Sequence, residues 1–251
     1  MQVVVSWVFG IILVLSAAMA YAHAAEDEKP LVQVGIMSFP GFSEMDEHGQ
    51  AVGKTVRLTR RLLQQAGYRA DIRIMPAARI WRGLEGGQVH LWPGILNKPG
   101  LDSHTLLTDR DLGQVGINLY YRAGEPVPEL SSGLDGKRLI RITNYTYIES
   151  LVSKLNHPRS GLVPVSSISH TGALQMLLKG RGDYLLEYRV QIEAAARELG
   201  IDVPPSVQLA EQPMRFVLSL NSGFAPQLKA DLDRAFDELA ARGEELDVTR
   251  Q

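Results

Sequence analysis

Two stretches of the chain, one in each half, follow the same order of residue types. The first reads GLEGGQVHLWPG, from Gly83 to Gly94, and the second reads MLLKGRGDYLLEY, from Met176 to Tyr188. In each, a helix-forming segment reaches a glycine and an apolar, strand-forming run follows. Helix, glycine and strand in succession is a common unit, so coincidence stays open on this observation alone. A chain that carries the unit twice is expected to form two α/β lobes.

The rest of the sequence alternates between strand-like and helix-like patterns. Strands are predicted at 31–37, 68–75, 89–95, 136–145, 161–167, 183–188 and 213–221. Helices are predicted at 52–66, 76–87, 146–156, 170–180, 189–200 and 225–243. This alternation is typical of parallel βαβ units, so the expected fold class is α/β, with mainly parallel sheets flanked by helices.

The first 24 residues differ from the rest of the chain. The run Val3–Ala20 is apolar and uncharged, and Ala22, His23 and Ala24 fit a small-x-small cleavage site. This pattern predicts a secretory signal peptide over 1–24 and a periplasmic protein, although the usual basic residue before the apolar run is missing. An uncleaved membrane anchor is the alternative. The chain has no cysteine, so neither a disulfide framework nor a lipid on an N-terminal cysteine is expected.

Charge and motif content exclude several functional classes. The formal net charge is -2, and basic residues do not cluster, so no nucleic-acid partner is expected. The six histidines lack metal-ligand spacing, and no nucleophile signature occurs, so we predict no metal, no cofactor and no catalytic residue. GQAVGKT, at 49–55, is one residue short of a phosphate loop and is better explained as a polar hairpin that leads into a helix.

The order of the remaining motifs resembles a known family. VGIMSFPGF, DEHGQAVGKTVRLTRRLLQQAGY, LEGGQVHLWPGI, LDGKRLIRITNYT and ALQMLLKGRGDYLLEY together look like the amino-acid-binding family of periplasmic solute-binding proteins of ABC transporters. The resemblance covers almost the whole mature chain. It implies a two-lobed, clamshell-like periplasmic-binding-protein fold, a monomer that closes by hinge motion on a small-molecule ligand, and an ABC permease as partner.

The resemblance also implies a division of the chain and a set of ligand-binding residues. Lobe 1 would comprise 25–112 and 212–251, and lobe 2 would comprise 113–211, with crossings near 111–114 and 211–214. The ligand-binding positions that match the family pattern are Phe39, Phe42, Asn97, Asn144, Tyr145 and Thr146. The two phenylalanines would wall the cleft, or instead fill the core. Thr146 would help to hold a carboxylate at a helix start, or instead serve only as a helix N-cap.

Two anchors of the family are changed in this chain. A gapless count places Asp102 where the family has an arginine that grips the ligand carboxylate, and Tyr188, next to Glu187, where it has an aspartate. We expect Arg79, Trp92, Glu187 and Tyr188 to supply ligand contacts instead, whereas Arg82 is expected on a solvated helix face. An unpartnered glutamate on an apolar strand is costly when buried, which favours a position facing the cleft. The expected ligand is a small polar solute, amino-acid-like or amine-bearing.

Two other functions remain open from the sequence. A sensor or orphan binding protein would share the fold and report to a membrane receptor. An enzyme of the cyclohexadienyl dehydratase type would use Glu187 as a general acid with a raised pKa.

Overall fold

The computed structural model describes residues 29–96, 98–129, 134–143, 147, 151, 155 and 160–250 of the 251-residue chain. The strands are β1 (Val32–Ile36), β2 (Glu44–Met45), β3 (Ala51–Val52), β4 (Ala70–Ile74), β5 (Leu91–Gly94), β6 (Thr105–Leu107), β7 (Gly113–Tyr120), β8 (Arg138–Ile142), β9 (Val163–Ser167), β10 (Tyr184–Tyr188) and β11 (Ser206–Ser219). The helices are α1 (Lys54–Gln65), α2 (Ala77–Gly86), α3 (His170–Leu178), α4 (Arg189–Leu199) and α5 (Ala225–Ala241).

One long strand, β11, belongs to both lobes. Its C-terminal part pairs with β5 and β6, and β5 continues through β1 to β4. Its N-terminal part pairs with β7, followed by β10, β8 and β9. The pairs β1–β4, β1–β5, β8–β9 and β8–β10 are parallel, whereas every pair that involves β7 or β11 is antiparallel. The structure therefore has two α/β lobes, as predicted; each contains parallel strand pairs, and antiparallel strands join the two lobes.

Each lobe has its own hydrophobic core on both faces of its sheet. In lobe 1, α1 and α5 bury their apolar faces against β1 and β5, and α2 covers the opposite face around Ile80 and Leu84. In lobe 2, α3 and α4 cover one face, around Leu174 and Ile192. The other face of this sheet carries Leu186 and Tyr188, which pack in a further core cluster with Tyr147, and Tyr188 also reaches the cleft. Alternate residues of each strand thus serve opposite faces of the sheet.

The repeated sequence unit does occur once in each lobe. Helix α2 ends before Gly87, which has a φ of 78°, and β5 follows with all four residues buried. Helix α3 ends before Gly180, which has a φ of 66°, and the fully buried β10 follows. Glycine adopts this left-handed conformation without the steric penalty of a side chain, so it ends the helix and turns the chain into the strand.

Two segments pass side by side between the lobes. Gly113 at the start of β7 is opposite Met214 of β11, and Gln114 is opposite Pro213. An ion pair of 2.7 Å between Arg215 Nε and Asp111 Oδ1 lies beside this crossing. Paired strands resist independent movement, so the two crossings are held as one unit.

Several strands of the structure lie where the sequence patterns predict none, and one predicted helix stays untested. Strand β7 and the first half of β11 lie in segments without a strand prediction. The helix predicted at 146–156 falls mostly outside the described residues. None of the helices in the described part of the chain is long and apolar enough to cross a membrane.

Candidate functional site

A cavity of about 510 Å³ lies where the two lobes meet. Lobe 1 contributes the end of β1, the loop after it, the start of α2 and the end of β5; lobe 2 contributes β7 and the junction of β10 with α4. Four aromatic residues contribute to its wall, and these are Phe39, Phe42, Trp92 and Tyr188. All four are predicted site residues, so the structure brings this part of the predicted set together. Their contact with a ligand remains a prediction.

The loop that carries Phe39 and Phe42 is tightly closed on itself. The Phe39 carbonyl accepts hydrogen bonds from the backbone N–H groups of Phe42 (2.9 Å) and Ser43 (2.8 Å). The Ser43 side-chain hydroxyl donates to the Met37 carbonyl at 2.7 Å. The two phenylalanine rings contact each other edge to face, with ring centroids 5.6 Å apart. These contacts hold both rings close to the C-terminal end of β1.

The N-terminus of α1 holds this loop in place. The backbone N–H of Thr55 donates to the Phe42 carbonyl at 2.9 Å. The intervening Gly53 has a φ of 115°, and a Cβ there would lie 2.3 Å from the Phe42 carbonyl oxygen. Only glycine therefore permits this close approach of helix and loop.

Trp92 is shared between the cavity wall and the core of lobe 1. Its side chain packs in the cluster beneath α2 and also borders the cavity. A Cβ at Gly94 would lie 2.2 Å from two carbon atoms of the Trp92 ring, so the ring lies directly over the glycine backbone. Trp92 therefore belongs both to the core of lobe 1 and to the cavity wall.

Tyr188 connects the two lobes through ring contacts. Its ring lies 5.5 Å from that of Phe39, edge to face, and 5.9 Å from that of Tyr147, nearly parallel. Nearby, the Gln191 side-chain amide donates to the Pro40 carbonyl at 3.2 Å across the same junction. Burial, with a smaller effect from the Glu187 carboxylate, raises the pKa of Tyr188, so its hydroxyl stays neutral at physiological pH.

Glu187 does not face the cavity, which corrects the position expected from the sequence. It is fully buried on the opposite face of β10, beneath α3 and α4. Its Oε2 lies 3.0 Å from His170 Nδ1, and its Oε1 accepts a hydrogen bond of 2.8 Å from the Tyr188 backbone N–H. Burial raises the pKa of Glu187, and the His170 contact opposes that effect. The expectation assumed a carboxylate without a partner, and His170 is the partner.

The predicted cation Arg79 also lies away from the cavity. It is exposed on α2 and borders a second cavity of about 350 Å³, together with Arg73 and Arg82. Asp102 lies exposed in a short 3₁₀ turn, Asp102–His104, and does not border the larger cavity. The helical period explains the position of Arg79, because Ile80 and Leu84 occupy the face of α2 that is turned inward.

Other predicted ligand contacts lie outside the described residues; these are Asn97, Asn144, Tyr145 and Thr146. Conversely, several residues that border the cavity were not predicted; these are Thr55, Val115, Val190, Met214, Val248 and Thr249. The last two belong to the C-terminal segment, which passes beside the crossing between the lobes, where Thr249 Oγ1 accepts from the Gln114 N–H at 3.1 Å. No local sequence signal marks them, because tertiary packing brings them to the cavity.

The described residues contain no group of three His, Cys, Asp or Glu side chains that could hold a metal ion. Hydroxyl groups are the main side-chain polar groups at the cavity, and Ser38, Ser43, Thr55, Tyr188 and Thr249 carry them. Such a wall can surround an apolar body and offer a few neutral hydrogen bonds.

Solved structures share this architecture. A putative L-cystine ABC transporter protein from Listeria monocytogenes is 18% identical, with a TM-score of 0.65, and the match covers 86% of this chain and 92% of that one. A histidine kinase sensor domain with similarity to periplasmic binding proteins is 19% identical, with a TM-score of 0.65 and coverage of 87% and 93%. The fold is that of the periplasmic binding proteins.

A third structure with this periplasmic-binding-protein fold is an ancestral amino acid-binding protein described as a precursor of cyclohexadienyl dehydratase. It is 15% identical, with a TM-score of 0.61, and the match covers 85% of this chain and 90% of that one. Neither the family models nor the curated proteins searched match the sequence. At these identities the likeness establishes the fold, and function has to be argued from the site.

Proposed function

We propose that this protein binds a small solute in the cavity between its lobes and delivers it to an ABC permease. One observation carries the proposal: the cavity takes its walls from both lobes, and Phe39 of one lobe and Tyr188 of the other meet at its edge. A ligand enclosed there would contact both lobes at once. Its binding would therefore favour the arrangement in which the lobes are close together.

The strand crossings support a division of the chain in which lobe 1 comprises 25–112 and 212–251 and lobe 2 comprises 113–211. Gly113 and Met214, which lie at the two boundaries, are paired with each other between the lobe cores. Gly113 has a φ of 148°, and a Cβ there would lie 2.7 Å from the Thr249 side chain. A hinge motion would concentrate at these few paired residues.

Export to the periplasm is part of the same proposal. The uncharged apolar run before Ala25 and the small-x-small site at Ala22–Ala24 support it. The neighbour from Listeria is described as an ABC transporter protein, which is consistent with a role outside the cytoplasmic membrane. A soluble monomer in that compartment could carry its ligand to a permease.

The sensor alternative shares the ligand-binding step and differs only in the partner. The neighbour described as a histidine kinase sensor domain is a protein of this kind. The enzyme alternative has less support, because the proposed general acid Glu187 is fully buried on the face of β10 away from the cavity. A general acid has to come within hydrogen-bonding reach of its substrate.

A thermal-melting screen of amino acids, amines, small organic acids and neutral aromatic compounds tests the proposed function. A solute present at a hundred times its dissociation constant stabilises the folded state by about 2.7 kcal/mol, which raises the melting temperature measurably. The shift in melting temperature should be smaller in the Phe39→Ala protein and unchanged in Arg79→Ala, because Phe39 borders the cavity and Arg79 does not. A broad library that shifts nothing would contradict the proposal.

A further inference from the structure

We infer that the ligand of this cavity has an uncharged, apolar or aromatic body with at most a few neutral polar groups. This inference rests on the proposed function and refines it, and it differs from the small polar solute, amino-acid-like or amine-bearing, that is expected from the sequence. It follows from the side chains that form the cavity wall, and from the ion pairs and hydrogen bonds that the neighbouring charged side chains form with other protein groups.

Large apolar side chains form most of the wall. Besides the four aromatic residues, the cavity is bordered by Ile36, Met37, Ile74, Met75, Ile95, Val115, Val190, Met214 and Val248. Aromatic and methionine side chains contact flat or irregular apolar groups well, and a ring would meet Phe39 and Tyr188 edge to face or stacked. A volume of about 510 Å³ lies within the usual range of roughly 300–1,000 Å³ for small-ligand cavities.

The polar groups of the wall are hydroxyls, and several already have partners within the protein. Ser43 Oγ donates to the Met37 carbonyl. Thr249 Oγ1 is bonded to both Asp247 Oδ1 and the Gln114 N–H. The raised pKa of Tyr188 keeps its hydroxyl neutral. These groups suit a hydroxyl, amide or ring N–H of a ligand better than an ionised group, which would need an opposite charge.

Charged side chains around the cavity are directed to partners in the protein. Glu187 is paired with His170 on the other face of the sheet. Arg189 contacts Glu211 at 2.9 Å. Lys54 Nζ donates to the Arg250 carbonyl at 3.1 Å and lies 5.8 Å from the centre of the Phe42 ring.

Asp111 and Arg215 form a further pair, at 2.7 Å, near the strand crossing. Among the described residues that border the cavity, none is Asp, Glu, Lys, Arg or His. A charged ligand would have to give up its hydration here without a matched partner on these walls, which is unfavourable. An apolar body gains from leaving water at the same walls.

Isothermal titration calorimetry of the full mature protein tests the inference with two sets of probes. The neutral set is indole, p-cresol and phenylacetamide; the charged set consists of compounds with ionised groups, and these are L-arginine, zwitterionic L-glutamine, putrescine and glutarate. We expect at least one neutral probe to bind and to bind at least tenfold more tightly than every charged probe. Its affinity should fall at least tenfold in Phe39→Ala and less in Phe39→Leu, which keeps an apolar side chain without the ring.

Phe236→Ala is the matched control, because this ring packs against the core of lobe 1 and does not border the cavity. Its affinity for the neutral probe should stay within twofold of wild type. A charged probe that binds more tightly than all neutral ones, with the same dependence on Phe39, would overturn the ligand class and leave the proposed function standing. If no neutral probe binds, the ligand class is also overturned; the proposed function falls only when the melting screen shows no shift either.

Discussion

At the level of single residues, Glu187 shows how a buried carboxyl group can support a cavity that it does not border. Its carboxylate accepts from the backbone N–H of Tyr188, whose ring borders the cavity. His170 holds the other carboxylate oxygen at 3.0 Å. The pair therefore helps to fix the end of β10, where the chain turns into α4. We interpret Glu187 as a positioning residue for Tyr188.

Replacement of Glu187 by glutamine should change the pH dependence of stability. Burial raises the pKa of Glu187 in the folded state above its ordinary value of 4.5. The folded state then binds this proton more tightly than the unfolded state. The resulting contribution to the stability of the folded state is complete below pH 4.5 and is lost as pH rises through the folded pKa. Relative to Glu187→Gln, wild type should therefore lose stability as pH rises above 4.5, up to the folded pKa of Glu187.

Urea unfolding of both proteins across this pH range measures the effect. Glu85→Gln, which changes an exposed carboxylate on α2, is the control. The difference in unfolding free energy between this variant and wild type should change far less with pH. The interpretation of Glu187 is wrong if the difference in unfolding free energy between Glu187→Gln and wild type is the same at both ends of the pH range.

At the scale of elements, the turn between β3 and α1 determines where the aromatic loop lies. Gly53 combines a φ of 115° with a packing distance that leaves no room for a side chain. The loop from Phe39 to Ser43 is thereby brought against the first turn of α1, and the two phenylalanines are turned towards the cavity. This is one place where a single glycine connects local backbone geometry to the proposed site.

Alanine at Gly53 should destabilise the fold more than alanine at Gly49. Both glycines have positive φ, but a Cβ at Gly49 would meet only the end of the Met45 side chain, at 3.7 Å. The conformational cost of a left-handed residue is roughly 1–2 kcal/mol, and we expect Gly49→Ala to show about that loss. Gly53→Ala adds a backbone clash, so its loss should be clearly larger, and ligand affinity should fall with it.

Urea unfolding and calorimetry on the two variants test this expectation. Equal losses of stability in both would mean that the contact with the Phe42 carbonyl is unimportant. Normal ligand affinity in a folded Gly53→Ala protein would show that the loop position does not matter for binding.

The sequence predicts the regular elements better than it predicts the parts between them. Amphipathic periodicity and glycine stops define α1 to α5, and apolar runs define most strands. Strand β7 reads GQVGINLY, where two glycines and an asparagine weaken the strand pattern. It is a strand because it lies between β10 and β11, which supply partners for its backbone. That reason is tertiary and leaves no local signal.

Residues of the cavity wall could be predicted where the sequence pattern indicates which way a side chain points. They could not be predicted where it gives no such indication. Neighbouring residues of a strand point to opposite faces, so Glu187 and Tyr188 could not both face the cleft. Tyr188 shares its face with Leu186, and Glu187 shares the opposite face with Leu185. Parity along β10 would have excluded one of the two, although only the structure shows which. The C-terminal residues of the wall could not be predicted, because only the tertiary packing of the C-terminal segment places them at the cavity.

At the scale of the whole molecule, two α/β lobes joined by paired strands place one largely apolar cavity at their junction. Contacts across that junction include the meeting of the Phe39 and Tyr188 rings and the hydrogen bond from Gln191 to the Pro40 carbonyl. Each lobe has its own core, although Phe39 and Phe42 of lobe 1 also pack against that of lobe 2. A shift of the lobes would therefore change mainly the contacts at the junction. This is the arrangement required for a binding protein that closes on its ligand.

Export predicts a defined start for the mature protein. N-terminal sequencing of periplasmic material should begin at Ala25 or within a few residues, because the apolar run and the small-x-small site precede it. Replacement of Ala22 and Ala24 by bulky residues should slow processing and leave precursor in the membrane fraction. Recovery of the wild-type chain intact from the membrane would support an uncleaved anchor instead.

We propose the cavity between the lobes as the binding site of a small solute. A crystal structure of the protein grown with the compound that most raises its melting temperature tests this most directly. We expect density for that compound between Phe39, Trp92 and Tyr188, with its apolar body against the rings. Density at the arginine-lined groove of Arg73, Arg79 and Arg82, or elsewhere on the surface, with the cavity holding none, would contradict it.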